Sequence, residues 1–120
     1  MKILVTDDSR VMRQIVIRTL RQAGWDDVDV VEAVDGADAL VKIAEEDPDL
    51  VLSDWNMPEM TGIDCLRELR ARGSAVPFGF VTSEGSPEMR ETAAEAGALF
   101  LIAKPFTADT FRDQLGSVLA

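Results

Sequence analysis

The chain has 120 residues, the usual size of one domain, so we expect a single domain over residues 1–120. Its 22 acidic residues outnumber the 12 basic ones, and the net charge of −10 has the wrong sign for a surface that neutralises nucleic-acid phosphates. Hydrophobic residues make up 47% of the chain, yet no apolar run approaches the roughly 20 residues that a membrane-spanning helix needs. Composition and charge therefore argue against binding to nucleic acid or insertion into a membrane.

The two residue types that most often carry metal or redox chemistry are scarce. Histidine is absent and Cys65 is the only cysteine, which excludes an imidazole base, an intrachain disulfide and a multi-cysteine zinc site. We expect Cys65 to be a small buried residue on a helix. The chain opens directly into a short apolar segment without the pattern of an export signal, so we expect a cytoplasmic protein. Any chemistry must come from carboxylates, hydroxyls and lysine.

Five short apolar runs alternate with longer segments of helical periodicity. We predict strands over residues 3–5, 28–31, 50–52, 78–81 and 99–103, each followed by a helix. The runs are continuously apolar, which is typical of parallel strands that are covered on both faces. This alternation predicts a doubly wound α/β fold.

Residues that favour helix starts stand where this fold requires them. Ser9 can cap the first helix, and Thr61 opens a capping-box pattern for the third. The pair Ser86-Pro87 places a cap before a proline at the first helical position, and Thr107 can cap the last helix. These residues are most simply structural.

Polar side chains follow four of the five predicted strands directly. In chain order they are Asp7 and Asp8, Asp54, Thr82, and Lys104. Ligands of an open parallel sheet bind at the carboxyl ends of the strands. We therefore expect an acidic pair, a third acid, a hydroxyl and a lysine to converge at one edge of the sheet.

Three carboxylates at one point require a cation. If strands one and three are neighbours, unit charges about 4 Å apart repel by roughly 4 kcal/mol at an effective dielectric of about 20. A hard divalent ion suits carboxylate oxygens, and Mg²⁺ keeps waters that a phosphate can replace. We predict that Asp7 and Asp8 hold Mg²⁺, and that Asp54 is the nucleophile toward a phosphoryl group. Thr82 and Lys104 would contact the phosphoryl oxygens.

These residues resemble the response-regulator receiver family over essentially the whole chain. The matching segments are Thr6-Asp7-Asp8-Ser9, Asp54-Trp55-Asn56-Met57-Pro58, Val81-Thr82-Ser83-Glu84 and Lys104-Pro105-Phe106. The second and third of these are similar to the chemotaxis type of receiver. The resemblance implies a flavodoxin-like (βα)5 fold with a five-stranded parallel sheet in the order 2-1-3-4-5.

The resemblance also implies a role for each matched residue at the site. Asp8 is a direct metal ligand, Asp7 acts largely through water, and Asp54 is both phosphoacceptor and ligand. Asn56 contributes its backbone carbonyl to the metal. Asn56 and Glu84 flank the path of the hydrolytic water and tune the lifetime of the phosphate.

A conformational switch is implied as well. Phosphorylation would draw Thr82 inward and alter the face formed by the fourth helix, the fifth strand and the fifth helix. The peptide bond before Pro105 would be cis. One residue departs from the pattern: Leu101 stands three residues before Lys104, where many receivers have an aromatic residue. The neighbouring Phe100 would take over that role only if the strand shifted register, so we expect it to have an ordinary packing role.

The absence of histidine bears on the partners. The phosphodonor must be the phosphohistidine of a histidine kinase or a small acyl phosphate, and a downstream protein such as a motor switch would bind the altered face. The chain would then be a signalling switch and not a turnover enzyme. Alternatives are a phosphate relay or sink, the receiver portion of a larger regulator, and a metal-dependent phosphatase, although Asn56 stands where those phosphatases have a second acid. A flavin- or nucleotide-binding module is disfavoured, because no glycine-rich loop follows the first strand.

Overall fold

The computed structural model describes residues 1–119 and has the predicted alternation of strands and helices. The strands are β1 (Lys2–Thr6), β2 (Asp29–Ala33), β3 (Leu50–Ser53), β4 (Phe78–Thr82) and β5 (Phe100–Ala103). The helices are α1 (Arg10–Gln22), α2 (Gly36–Glu46), α3 (Gly62–Ala71), α4 (Pro87–Glu95) and α5 (Ala108–Leu119). All strand pairs are parallel, in the order β2-β1-β3-β4-β5. The predicted fold class and strand order are confirmed.

Helices cover both faces of the sheet, which explains why the strands are continuously apolar. On one face α1 and α5 bury side chains such as Leu20 and Phe111 against the sheet. On the other face α2, α3 and α4 form a second core that includes Leu66 and Ala93. Cys65 belongs to this second core, and its burial raises the pKa of the thiol to about 12. A buried neutral thiol acts as a small hydrophobic residue, as expected.

The four predicted caps fix where the helices begin. Ser9, Thr61, Ser86 and Thr107 each accept a hydrogen bond, at 3.2 to 3.3 Å, from the backbone N–H three residues later. Each bond satisfies a donor that the first helical turn would otherwise leave without a partner. The caps thereby set where the loops at the carboxyl edge of the sheet end and α1, α3, α4 and α5 begin.

The register of β5 separates Phe100 from Leu101. Phe100 pairs with Gly79 and its ring packs in the core beside α1 and α5, whereas Leu101 pairs with Phe80 and packs in the opposite core. A Cβ atom at Gly79 would collide with the Phe100 ring, so the ring occupies the space that a side chain would need. Phe100 therefore has the packing role that the sequence suggested.

Among residues 1–119, no helix has both the length and the apolar character needed to cross a membrane.

Candidate functional site

The carboxyl ends of β1 and β3 bring three acidic side chains together. Thr6, the last residue of β1, is the register partner of Ser53, the last residue of β3. The residues that follow are therefore neighbours, and Asp7, Asp8 and Asp54 each offer a carboxylate oxygen within 4.8 Å of the others. Negative charge is concentrated at this edge of the sheet.

Asp7 is the most enclosed member of the cluster, with only 4% of its surface exposed. Its Oδ1 accepts a hydrogen bond from the Ser9 backbone N–H at 2.9 Å, and its Oδ2 accepts one from Lys104 Nζ at 3.3 Å. Both carboxylate oxygens are therefore engaged within the protein. These two hydrogen bonds fix the orientation of the Asp7 carboxylate.

The negative charge of Asp54 is less well stabilised by neighbouring groups than that of Asp7. Its Oδ1 accepts a hydrogen bond from the Trp55 backbone N–H at 2.8 Å, and its Oδ2 lies 3.8 Å from Lys104 Nζ. Burial raises the pKa of Asp54 above its ordinary value and the charge of Asp7 adds to this effect, while Lys104, the Trp55 N–H and the Thr82 hydroxyl oppose it. The ionised form of Asp54 is thus destabilised by its surroundings, and a cation or a covalent modification would relieve that cost.

Lys104 and Thr82 approach the same point from β5 and β4. The Lys104 backbone N–H donates to the Thr82 carbonyl at 2.8 Å, which ties the ends of the two strands together. Thr82 is fully buried, and its hydroxyl accepts a weak hydrogen bond from the Glu84 N–H at 3.4 Å. The peptide bond between Lys104 and Pro105 is cis. One ammonium group and one hydroxyl thus lie beside the acidic cluster.

Two side chains form the exposed rim of the site. The Asn56 amide donates a hydrogen bond from Nδ2 to Glu84 Oε1 at 3.3 Å, and this contact joins the loop after β3 to the loop after β4. Both side chains are exposed, and they stand two residues beyond Asp54 and Thr82, respectively.

A tight contact beneath Asp54 was not assigned from the sequence. A Cβ atom at Gly62, the first residue of α3, would collide with the Asp54 carbonyl oxygen, so only glycine permits this approach. The Ser53 hydroxyl donates to the same carbonyl at 2.8 Å, and the Gly62 N–H donates to the Trp55 carbonyl at 2.8 Å. A glycine directly after a helix-capping threonine was the available signal, because glycine is a poor residue for a helix interior. These contacts hold the backbone that carries Asp54.

Sequence reasoning also missed a link between α4 and the edge strand. Arg90 donates hydrogen bonds from Nη1 to the Leu101 carbonyl at 2.9 Å and from Nε to the Gly85 carbonyl at 3.2 Å. Nothing in the local sequence distinguishes this arginine from a solvated helical residue. The guanidinium joins β5 to the loop after β4, next to the buried Leu101 side chain.

The donor set of the cluster fits Mg²⁺. It consists of carboxylate oxygens, which are the ligands that hard divalent cations prefer, and the separations allow one ion to be shared. Burial raises the pKa of Asp54 in spite of the nearby Lys104 ammonium, so a further positive charge at the cluster would stabilise the ionised carboxylate.

Comparison with known proteins agrees with the fold and the cluster. The family model described as the response regulator receiver domain matches residues 3–116. The chain belongs to the response-regulator receiver family. Members of this family are signalling proteins that bind Mg²⁺ in an acidic pocket. The family resemblance inferred from the sequence is confirmed.

Individual relatives belong to the chemotaxis branch. The chain is 41% identical to the chemotaxis protein CheY1 of Helicobacter pylori strain J99, over 99% of this chain and 97% of the relative. It is 42% identical to the chemotaxis protein CheY-3 of Vibrio cholerae, over 98% of this chain and 91% of the relative. CheY-like receivers interact with histidine kinases and downstream targets.

Solved structures agree with the sequence comparison. The chemotaxis response regulator CheY4 of Vibrio cholerae superposes with a TM-score of 0.83 at 36% identity, covering 98% of this chain and 97% of that one. The receiver domain of the putative response regulator NarL from Mycobacterium tuberculosis gives a TM-score of 0.86 at 29% identity, covering 98% of this chain and 94% of that one.

Proposed function

We propose that the chain is a phosphoryl-accepting response regulator in which Asp54 receives a phosphoryl group from the phosphohistidine of a histidine kinase. The observation that carries this proposal is the convergence of three carboxylates within 4.8 Å, with Lys104 Nζ at 3.3 Å from Asp7 Oδ2 and 3.8 Å from Asp54 Oδ2. Membership in the receiver family supports it.

Four groups would hold the metal ion. Asp8 and Asp54 are direct ligands, Asp7 acts mainly through water, and Asn56 offers its backbone carbonyl. When bound, Mg²⁺ supplies positive charge that neutralises the carboxylates and the phosphoryl oxygens. This assignment gives a function to Asp8, whose carboxylate is exposed and lies within the cluster.

Asp54 is the phosphoacceptor. A carboxylate oxygen of Asp54 forms the bond to phosphorus while the bond from phosphorus to the kinase histidine nitrogen breaks, and the departing imidazole keeps that electron pair. The Lys104 ammonium contacts one phosphoryl oxygen and the Thr82 hydroxyl contacts another. Asn56 and Glu84, at the rim, tune how quickly water removes the phosphate.

Phosphorylation switches one face of the molecule. It adds roughly −1.5 to −2 charges beside Thr82 and draws that hydroxyl inward. The loop between β4 and α4 follows, and the face formed by α4, β5 and α5 then binds a downstream protein such as a motor switch. Many receivers use an aromatic residue in this step. Here Leu101 stands in its place, so an aliphatic side chain on β5 would take part in the conformational change.

Chemotaxis signalling in the cytoplasm is the setting we propose. The named relatives CheY1 and CheY-3 are chemotaxis proteins and align along nearly their full length. We also propose that residues 1–120 form one receiver domain, which the family match over residues 3–116 supports. A phosphate relay or sink, or the receiver portion of a larger regulator, would use the same chemistry at Asp54.

Intact-protein mass measurement tests the phosphoacceptor. The wild type, incubated with a small acyl phosphate and Mg²⁺, should gain the mass of one phosphoryl group, and Asp54→Asn should gain none. Asp113→Asn is the matched control, because Asp113 is an exposed aspartate on α5 outside the cluster. Labelling of Asp54→Asn at the wild-type level would refute the assignment.

A second assay separates a switch from a turnover enzyme. A metal-dependent phosphatase would release phosphate continuously from a small phosphate ester, whereas the proposed switch takes up one phosphoryl group and loses it by self-hydrolysis. We expect no sustained release from para-nitrophenyl phosphate above the rate of Asp54→Asn. Continued turnover that depends on Asp54 would favour the phosphatase.

A further inference from the structure

We infer that Arg13 is a positioning residue of the metal site, which fixes the turn between β1 and α1 that presents Asp7 and Asp8. The inference rests on the proposed function, because it concerns how this chain holds Mg²⁺. Arg13 lies on α1 and donates a hydrogen bond from Nη1 to the Asp7 carbonyl at 2.8 Å. Its Nε donates to Glu32 Oε1, on β2, at 2.9 Å. Only 11% of the Arg13 side chain is exposed, so the guanidinium is held in place.

The Asp7 carbonyl belongs to the peptide unit that joins Asp7 to Asp8. Holding this carbonyl fixes the plane of that peptide and therefore the position of the Asp8 Cα atom, from which the Asp8 side chain extends. On the other side of the same residue, the Asp7 N–H donates to the Ala33 carbonyl at 3.2 Å. The backbone of Asp7 is thus anchored to β2 through its N–H and to α1 through Arg13.

Asp8 depends on this backbone support more than Asp7 does. The Asp7 carboxylate is oriented by the Ser9 N–H and by Lys104, whereas within residues 1–119 no hydrogen bond or ion pair is made to the Asp8 carboxylate. The support for Asp8 therefore comes from its backbone, through the peptide plane that Arg13 holds. Because metal affinity depends on ligands that are already in place, loss of the Arg13 bond should weaken metal binding.

The sign of the effect distinguishes positioning from simple electrostatics. Arg13 is a positive charge near an acidic cluster, and removing a positive charge favours the approach of a cation. A purely electrostatic role therefore predicts that Mg²⁺ binds Arg13→Met more tightly than the wild type. A positioning role predicts weaker binding in spite of the lost positive charge.

The test is a Mg²⁺ titration followed by two-dimensional NMR of the amide groups of Asp8 and Trp55, at constant ionic strength. We expect the Kd of Arg13→Met for Mg²⁺ to rise about tenfold, the lower end of the usual effect of losing an outer-shell partner. Arg18→Met is the matched control, because Arg18 lies on the same helix with an exposed side chain and its loss changes the net charge equally. Its Kd should be unchanged or slightly lower. Amide resonances of α5 report whether each variant keeps the fold.

Each outcome bears on one proposal. Wild-type protein that does not bind Mg²⁺ would refute the proposed function itself. Wild-type binding together with an Arg13→Met variant whose Kd is unchanged or lower would overturn the positioning role and leave the proposed function intact. If Arg13→Met does not fold, Arg13→Lys serves instead, since it keeps the charge and loses the planar fork of donors. Weaker binding by Arg13→Lys supports the inference, and wild-type affinity overturns it.

Discussion

The interior of the sheet and its carboxyl edge differ in what they bury. The strand interiors bury aliphatic and aromatic side chains on both faces, and Ile3, Leu50 and Phe78 are fully enclosed. At the carboxyl edge the buried residues include polar ones: Thr6, Asp7, Ser53 and Thr82. The Thr6 hydroxyl oxygen has no hydrogen-bond partner within the described chain, a situation that costs roughly 1 to 3 kcal/mol. The interior therefore stabilises the fold, whereas the polar groups buried at the edge lower its stability and are available for chemistry.

Removing a side chain from the interior should produce the largest loss of stability. Leu50 is completely buried at the amino end of β3, away from the acidic cluster. Leu50→Ala should lower the free energy of unfolding by about 2 to 5 kcal/mol, because it removes apolar contact and leaves a cavity. Denaturant unfolding measures this loss, and the Kd for Mg²⁺ should stay within twofold of wild type, or about 0.4 kcal/mol. A large change in Kd would mean that the two regions are coupled.

The fold was predictable because the interior follows simple rules. Continuous apolar runs such as residues 50–52 can be buried on both faces only in a parallel sheet with helices on both sides. Asp54 and Lys104 could be proposed as site residues because each directly follows a strand, and strand ends meet at one edge. To assign these residues to the site, it was enough to know the order of strands and helices along the chain.

The supporting contacts could not be predicted in the same way. Arg13 donates to the carbonyl of Asp7, before its own helix, and Arg90 donates to the carbonyl of Leu101 on β5. The sequence around each arginine is the same as that around an arginine on a solvent-exposed helix. The packing role of Phe100 was expected, but which of the two cores receives its ring depends on the register of β5, since a shift by one residue exchanges the two faces. Such features depend on tertiary packing, which sequence patterns alone do not reveal.

Metal binding should stabilise the folded protein by the same amount whether or not the interior contains the Leu50→Ala cavity. Mg²⁺ at 100 times its Kd should raise the free energy of unfolding by about 2.7 kcal/mol, because it binds the folded state alone. Leu50→Ala should gain the same increment, since its cavity lies away from the edge. Asp8→Asn should gain clearly less at the same ion concentration. Thermal unfolding with and without Mg²⁺ measures all three, and equal gains in Asp8→Asn and wild type would remove Asp8 from the ligand set.

Asp54→Asn should have an effect opposite in sign to Leu50→Ala when no Mg²⁺ is present. Burial raises the pKa of Asp54 above its ordinary value of 3.8, so the folded state binds that proton more tightly than the unfolded state. Stability from this group is therefore lost as the pH rises from the ordinary value through the raised one. At neutral pH the ionised carboxylate destabilises the fold, and Asn removes that cost, so Asp54→Asn should have a higher free energy of unfolding than wild type.

The pH dependence provides the control for this result. The advantage of Asp54→Asn should disappear as the pH falls below 3.8, where Asp54 is protonated in both the folded and the unfolded states. Asp113→Asn, at an exposed position, should show no such advantage at neutral pH. Denaturant unfolding at several pH values distinguishes the variants. An Asp54→Asn protein that is less stable than wild type at neutral pH would contradict the proposed cost of the buried charge.

The rim of the same edge should contribute least to stability. The hydrogen bond between Asn56 and Glu84 joins two exposed side chains at 3.3 Å, and such a contact is largely replaced by water when it is lost. Glu84→Ala should therefore change the free energy of unfolding by no more than about 0.5 kcal/mol. The carboxyl edge would then consist of an enclosed part, where the buried charge of Asp54 destabilises the fold, and a rim whose side chains contribute little to stability. A loss of stability as large as that of Leu50→Ala would place Glu84 with the structural residues and remove this division.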